Sequence, residues 1–408
     1  MMTTTTLVHR VYNGPREWWR EGMVYELGSP ELGADGLNGL HSMLEHVRSL
    51  GSGVVLVRPS LLGPDTELEA FRGFADRAHG LGLRVIVRIS GAMGPVTGAH
   101  VRSDNPIVVG REREGEGLLE RAAAFLAAGA DGIDLGTIVP PDITDQTNLE
   151  RLSEYFTILH AMVAEHVEDG IVGADVSADY PQTLRHHLQD DWLHHLRDDR
   201  LMLARWDRES LTRHITHSLS EHDRFGAAPV WRHLPSSGLV GADDPGDGRR
   251  WFEVDEGLRQ RRSSALLTLM LALPGAVYLR QGDEIDLLDQ DKPSDPLDLA
   301  AVIMRSSATQ DSVFGSPLAT VRHAARMRQA HELATAPVAF VSGLEWCPPE
   351  AVVLLARDVL VLVNTSEQAI DLPAHAEILL SSGVLHQEGG RLAVPPTTTV
   401  WLTASTVA

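Results

Sequence analysis

The chain has 408 residues, of which 43% are hydrophobic and 22% are charged. This apolar fraction is enough to build a full core, so it excludes a chain that is disordered throughout. The formal net charge of −21 disfavours nucleic acid and anionic membrane surfaces as partners, because like charges repel.

Cysteine content and the first residues predict the compartment. The single cysteine, Cys347, excludes an intramolecular disulfide and a multi-cysteine metal site, which suits a reducing environment. The first 22 residues lack the continuous apolar stretch of a signal peptide, and no apolar run is long enough to span a bilayer. We therefore expect a cytoplasmic protein with no membrane or nucleic-acid partner, no cofactor and no metal.

Along the chain, short β-branched runs alternate with segments of helical apolar spacing. In the first helical segment, Leu40, Met43, Leu44, Val47 and Leu50 fall on one face. The eight predicted strands are Met23–Ser29, Val54–Ser60, Leu83–Ser90, Gly132–Val139, Gly170–Ser177, Arg200–Trp206, Pro229–Ser236 and Ala276–Glu284.

This alternation predicts the architecture. Strands separated by helices run parallel, and eight such units close into a (β/α)8 barrel with its site at the carboxyl ends of the strands. A doubly wound open sheet is the competing fold, but it seldom holds eight units, and no G-x-G-x-x-G loop follows the first strand. After about residue 335, short alternating segments predict an antiparallel β-sandwich.

Several local phrases are informative, among them REWWREGMVYEL, GADGIDLG, PVWRHLPSSG and RQRRSSALLTLMLALPGAVYLRQGDEIDLL. These phrases, and their order along the chain, resemble the α-amylase family of glycoside hydrolases (family 13), especially its oligosaccharide α-glucosidase branch. The resemblance implies a barrel over residues 1–334 and a C-terminal β-sandwich over residues 335–408. The family's long insertion after the third barrel strand is shortened to a remnant at residues 91–117.

The resemblance also implies that catalytic groups of the family are missing from this sequence. Family members cleave α-glucosidic bonds with retention, using a nucleophile and an acid/base carboxyl. The nucleophile position holds Gly136, and the third family carboxylate aligns with Ser237. The acid/base glutamate aligns with either Asp175 or Ala174, depending on the register chosen. Glycine cannot form a glycosyl–enzyme intermediate, so we expect the parent reaction to be lost.

Charged residues nevertheless remain at the barrel strands. They form either a remodelled polar pocket or a compensated ion-pair network in which Arg88 and Arg205 neutralise Asp134 and Asp175. The charged strand residues are Glu26, Arg58, Arg88, Asp134, Asp175, Arg205 and Arg232. The candidate pocket consists of Arg58, Arg88, Asp134, Asp175, Arg205, His233, Asp283 and Glu284.

Histidines are numerous, but their spacing does not indicate a metal site. The adjacent pairs His186–His187 and His194–His195 differ from the i, i+4 spacing of a zinc-binding helix. We expect these four histidines on helix surfaces.

Three functions are compatible with these residues. The leading hypothesis is a non-catalytic family-13 homologue that acts as a binding, regulatory or partner subunit. Its partner would be an active family-13 paralogue or a second copy of the chain, and its candidate ligand an α-gluco-oligosaccharide. The alternatives are an active α-glucosidase or transglucosidase with relocated carboxylates, and a sugar-sensing module without hydrolysis.

Overall fold

A computed structural model describes residues 3–60, 64–89, 112–138, 149–176, 181–189, 192–202, 204–233, 255–388 and 390–407. The strands are β1 Thr4–His9, β2 Met23–Leu32, β3 Val54–Pro59, β4 Arg84–Arg88, β5 Gly132–Ile138, β6 Ile171–Val176, β7 His195–Asp198, β8 Val230–Arg232, β9 Ala276–Arg280, β10 Val338–Ser342, β11 Val352–Ala356, β12 Val359–Asn364, β13 Ile370–Asp371, β14 Ile378–Ser381, β15 His386–Glu388, β16 Arg391–Val394 and β17 Thr398–Thr403. The helices are α1 Trp18–Glu21, α2 Ala34–Gly39, α3 His41–Ser49, α4 Pro64–Gly80, α5 Glu112–Ala127, α6 Leu149–His166, α7 Pro181–Gln189, α8 Arg208–Phe225, α9 Glu256–Ala272, α10 Pro296–Gln310 and α11 Pro317–Ala330.

Strands β2 to β9 form a parallel, nearly closed barrel, so the predicted (β/α)8 architecture is confirmed. Their hydrogen-bonded order is β7-β6-β5-β4-β3-β2-β9-β8, and β7 and β8 pack side by side to complete the ring. Helices α2 to α11 lie between and after these strands in the chain. The predicted helix face packs as expected, with Leu40, Met43 and Val47 fully buried.

The sixth barrel strand lies earlier than predicted. We expected it at Arg200–Trp206, but β7 is His195–Asp198, and a short 3-10 helix over Asp199–Leu201 follows it. Arg205 therefore lies after the strand and not within it. The prediction that His194 and His195 lie on a helix surface is also wrong, because His195 is fully buried in β7.

The predicted antiparallel sandwich is confirmed as well. A six-stranded sheet of order β1-β10-β11-β12-β17-β14 faces a three-stranded sheet of order β13-β16-β15. In β12, Leu360 and Leu362 point into the sandwich, while Val359, Val361 and Val363 point to the large core shared with the barrel helices. Burial on both faces explains why β12 is a continuous apolar run.

One strand of the sandwich comes from the other end of the chain. Strand β1 pairs antiparallel with β10, with Thr4 opposite Ser342 and Leu7 opposite Ala339. The N-terminal strand therefore belongs to the C-terminal sheet, which the sequence analysis did not anticipate. The division near residue 335 stays a prediction. Of the insertion remnant at residues 91–117, residues 91–111 lie outside the described residues, and α5 begins at Glu112.

Candidate functional site

Side chains inside the barrel change from apolar to charged along the strands. Near the start of the strands, Val24, Val54, Ile86 and Ile171 pack in one interior cluster. Side chains alternate in a strand, so residues two or four positions further on face the same interior. The charged groups at those later positions include Glu26, Arg88, Asp134, Asp175, Arg197 and Arg232, which lie on six different strands.

Asp134 lies between two guanidinium groups. Arg88 Nε donates to Asp134 Oδ1 at 2.7 Å, and Arg197 Nη1 donates to Asp134 Oδ2 at 2.5 Å. Asp134 and Arg197 are fully buried, and Arg88 is 8% exposed. Both oxygens of Asp134 are thus occupied by charge-assisted hydrogen bonds, which are the stronger kind.

Two further carboxylates are paired in the same interior. Arg197 Nη2 donates to Asp175 Oδ1 at 2.8 Å, and Arg232 Nη1 lies 3.6 Å from Asp175 Oδ2. Arg232 Nη2 donates to Glu26 Oε2 at 3.1 Å. These contacts define the central ion-pair network, which consists of Glu26, Asp134, Asp175, Arg88, Arg197 and Arg232.

The network balances three carboxylates against three guanidiniums. Burial alone would raise the pKa of Asp134, but Arg197 and Arg88 outweigh it and hold that pKa well below its usual range. The pKa of Asp175 is lowered for the same reason, with burial opposed by Arg197, Arg232 and Arg88. Both groups are therefore ionised at neutral pH and hold no proton for a leaving oxygen.

Arg197 is the residue that the sequence analysis missed. It contacts both aspartates, and its guanidinium lies 4.6 Å from the centre of the Tyr278 ring. Arg205, which we expected in this role, has a side chain that is 48% exposed and pairs with Asp207 at 3.4 Å. The phrase H-L-R-D carried a usable signal, since alternation places His195 and Arg197 on one face.

The nucleophile position has no side chain and a backbone that favours glycine. Gly136 has a φ of 67°, in the left-handed region, and its amide donates to Asp134 Oδ1 at 2.9 Å. An L-residue there would be strained. The backbone at Gly136 therefore helps to hold Asp134 in its ion pairs.

The two candidates for the acid/base position lie on opposite faces of β6. Asp175 points into the central ion-pair network, and Ala174 packs in the apolar layer between the barrel and its helices. Ser237, the aligned position of the third carboxylate, lies outside the described residues. Arg58, near the end of β3, is half-buried and has contacts of its own.

Three other candidate residues have partners outside the network, with Asp283 and Glu284 after β9 and His233 directly after β8. Glu284 Oε1 accepts a hydrogen bond from the Tyr25 hydroxyl at 2.8 Å and lies 2.9 Å from His46 Nε2. Asp283 Oδ2 lies 2.9 Å from His233 Nδ1. Asp283, Glu284 and His233 are all buried, and these partners fix both carboxylates at the end of the barrel strand.

A buried histidine lies next to the network. The Trp19 carbonyl can only accept, so His195 Nε2 donates to it at 2.5 Å, and His195 Nδ1 accepts from the Tyr278 hydroxyl at 2.6 Å. Burial lowers the pKa of His195 to about 3, so the ring is neutral at physiological pH. The neutral ring therefore adds no charge to the network.

Neither a metal site nor a membrane segment is found in the described part of the chain. No three His, Cys, Asp or Glu side chains there converge as ligands of an ion. None of the helices in the described ranges combines the length and the apolar character that a bilayer-spanning segment needs.

No protein-family model and no curated protein matches this sequence, whereas solved structures match almost the whole chain. The α-glucosyl transfer enzyme XgtA has a TM-score of 0.63 and 14% identity, over 95% of this chain and 99% of its own. Amy13B of Eubacterium rectale has a TM-score of 0.61 and 12% identity, over 97% of both chains. The chain has the α-amylase fold.

A third enzyme extends this likeness. The α-amylase of Geobacillus thermoleovorans, solved in complex with acarbose, has a TM-score of 0.57 and 12% identity, over 95% of this chain and 99% of its own. Active sites of (β/α)8 barrels lie at the carboxyl ends of the strands. In this chain, the central ion-pair network lies at those ends. At such low identity the likeness extends to the fold alone, so function has to be argued from the residues at those ends.

Proposed function

We propose that this chain is a non-catalytic homologue of the α-amylase-family enzymes, and that it serves as a binding, regulatory or partner subunit of an active family-13 enzyme. The observation that carries the proposal is the central ion-pair network. Asp134 and Asp175, the carboxylates nearest to the aligned catalytic positions, are buried and bound to arginines. A carboxylate held this way is poorly suited to act as a nucleophile or as a proton donor.

The geometry at Gly136 supports the same conclusion. A retaining glycosidase needs two carboxyl groups about 5–5.5 Å apart, one of them free to attack the sugar. At the aligned nucleophile position there is only a backbone amide, which donates to Asp134. Three guanidiniums next to the site also oppose a developing oxocarbenium cation, because their charge has the same sign.

An activity assay tests the loss of catalysis. The purified chain at micromolar concentration is incubated with 4-nitrophenyl α-glucoside and with maltotriose, and the α-glucosyl transfer enzyme XgtA serves as the active reference. We expect no product above the buffer control. Turnover that is abolished by Asp175→Asn, but retained in Glu209→Gln, would overturn the proposal. Glu209 is a suitable control because its side chain is 84% exposed on α8.

A second experiment tests the partner role. The chain is purified from its native host at low salt, and the molecular mass of the complex is measured by light scattering. We expect a complex whose second subunit is a family-13 enzyme with a complete set of catalytic carboxylates. A strictly monomeric chain that changes no α-glucosidase activity on addition would contradict this part of the proposal.

A further inference from the structure

A large cavity lies at the amino-terminal end of the barrel, opposite the central ion-pair network. It has a volume of about 920 Å³ and is bordered by the start of β2, the ends of α3 and α11, and the turn between β11 and β12. Its wall contains six arginines, and these define the arginine cavity: Arg16, Arg48, Arg322, Arg326, Arg328 and Arg357.

The charge of this wall is opposite to that of the molecule. Among the described residues, three carboxylates line the cavity with the six arginines, namely Glu21, Glu332 and Asp358, whereas the whole chain carries a net charge of −21. Arg16 and Arg357 share Glu332, at 2.9 Å and 3.7 Å. Glu332 therefore already serves two arginines, and Asp358 pairs with His331. Arg322 pairs with Asp311, which does not line the cavity, so the positive charge that is left over lies on the remaining arginines.

Three arginines of the wall have no carboxylate partner among the described residues. Arg48 and Arg326 are exposed, and neither forms an ion pair there. Arg328 is 3% exposed, and its Nη1 donates to the carbonyls of Leu271 and Leu273 at 2.9 Å and 2.5 Å. Burial lowers the pKa of Arg328 to about 10, and the charge of Glu21 offsets only part of that effect, so Arg328 adds a buried positive charge behind the cavity.

Helix dipoles account for only part of this arrangement. Arg48 lies in the last turn of α3 and Arg328 in the last turn of α11, where cations are favoured by roughly 0.3–1 kcal/mol. That effect explains a basic residue at each helix end. It does not explain why arginines from the N-terminal segment and from the β11–β12 turn, Arg16 and Arg357, line the same cavity.

We propose that the arginine cavity binds a phosphorylated small molecule. Guanidinium groups form paired hydrogen bonds with phosphate oxygens, and a phosphate monoester brings up to two negative charges to a wall in which Arg48 and Arg326 form no ion pair among the described residues. The volume lies within the usual range of about 300–1,000 Å³ for ligand pockets. The site is separate from the barrel mouth, so it does not depend on whether the chain is catalytic.

Calorimetric titration tests this site. Inorganic pyrophosphate, glucose 6-phosphate, glucose and sulfate are titrated into the full-length chain at constant ionic strength. We expect pyrophosphate and glucose 6-phosphate to bind with a Kd below 1 mM, and glucose and sulfate to bind at least tenfold more weakly. If pyrophosphate binds and glucose 6-phosphate does not, the site recognises polyphosphates. If both compounds bind, the site recognises the phosphoryl group itself.

Matched variants locate the site. The double variant Arg48→Gln/Arg326→Gln removes two exposed charges from the cavity and should weaken pyrophosphate binding about a hundredfold. The control Arg72→Gln/Arg305→Gln removes two exposed helical arginines elsewhere and should leave binding within twofold. Equal weakening by both double variants, unchanged binding in the first, or sulfate binding as tight as pyrophosphate binding would each overturn the proposal. Circular dichroism checks that both variants are folded.

Discussion

Asp134 and Arg88 are direct neighbours in the β4–β5 register, and they form an ion pair at 2.7 Å. Of the two possibilities that the sequence left open, the compensated ion-pair network had Arg88 and Arg205 neutralise Asp134 and Asp175. The second arginine of the network is Arg197 and not Arg205. The sequence did not reveal this, because the partner of an arginine depends on which neighbouring side chains point into the barrel.

Removing Arg197 should destabilise the protein, because two buried carboxylates would lose their shared partner. In Arg197→Met, Asp134 and Asp175 lose the guanidinium that joins them in the interior. We expect the free energy of unfolding to fall by about 3–5 kcal/mol, as is usual when one partner of a buried ion pair is removed. Urea unfolding of the wild type and the variant measures this difference in the free energy of unfolding.

The control for this experiment is Arg205→Met, the arginine that the sequence analysis placed in the network. Its side chain is half-exposed, so we expect a change of less than about 1 kcal/mol. Similar losses in both variants would show that Arg197 carries no special share of the interior charge.

His195 should make stability depend on pH. Burial lowers the pKa of the folded ring to about 3, whereas an unfolded histidine titrates near 6.5. Below pH 6.5 the unfolded chain therefore takes up a proton that the folded chain refuses until about pH 3. The titration of His195 alone should therefore lower the free energy of unfolding by about 2 kcal/mol as the pH falls from 7 to 5.

Denaturant titrations at several pH values check this. His195→Gln should remove that part of the slope, and His386→Gln, whose side chain is exposed on β15, should keep it. A wild-type stability that is flat from pH 7 to pH 5 would contradict the neutral, buried state of His195.

At the scale of elements, most barrel strands were predictable because their outward side chains are apolar and pack on helices. Strand β7 was not, since its four residues are His195, Leu196, Arg197 and Asp198, and only one of them is hydrophobic. The sequence analysis placed this strand at Arg200–Trp206 instead, because that run is more apolar. A strand whose inward side chains are charged has a polar sequence and is easily taken for a loop. The ion pairs that allow these side chains to be buried form with other strands, so they cannot be read from the strand's own sequence.

Strand β1 should be needed for stability although it lies at a sheet edge. It covers β10, and His9 at its end pairs with Asp223 of α8 at 2.7 Å. Deleting residues 1–9 should lower the free energy of unfolding by roughly 3 kcal/mol, because several ladder hydrogen bonds are lost at about 1 kcal/mol each. The uncovered edge of β10 should also promote aggregation.

The matched control is a deletion of residues 1 and 2 alone, which leaves β1 intact. Chemical unfolding measures the stability of both truncated chains, and light scattering measures their association. If the longer deletion behaved like the shorter one, the β1–β10 pairing would not contribute to stability.

For the whole molecule, the barrel and the C-terminal sheet share one continuous core. Trp401 is fully buried at their junction, and its Nε1 donates to the Thr268 carbonyl of α9 at 3.2 Å. Thr399 Oγ1 donates to the Ala265 carbonyl at 2.8 Å. The sequence predicted both parts of the fold, but contacts between distant segments cannot be read from local periodicity.

Such a shared core predicts a single cooperative thermal transition. Differential scanning calorimetry should give one peak, and Trp401→Ala should shift it to lower temperature as a whole, with a loss of about 3–5 kcal/mol. Val384→Ala, at a side chain that is 82% exposed, is the control and should leave the peak in place. Two resolved peaks in the wild type would contradict a common core.

The pairing of β1 with β10 also fixes an order of events during synthesis. Residue 9 leaves the ribosome long before its partner Val338, and at about 5–20 residues per second this interval lasts roughly 20–60 s. During that time the first strand has no sheet to join, while the barrel strands between them can already assemble. The N-terminal segment therefore stays without its partner strand until β10 has been made, and an unpaired strand in that interval is a template for pairing with other nascent chains.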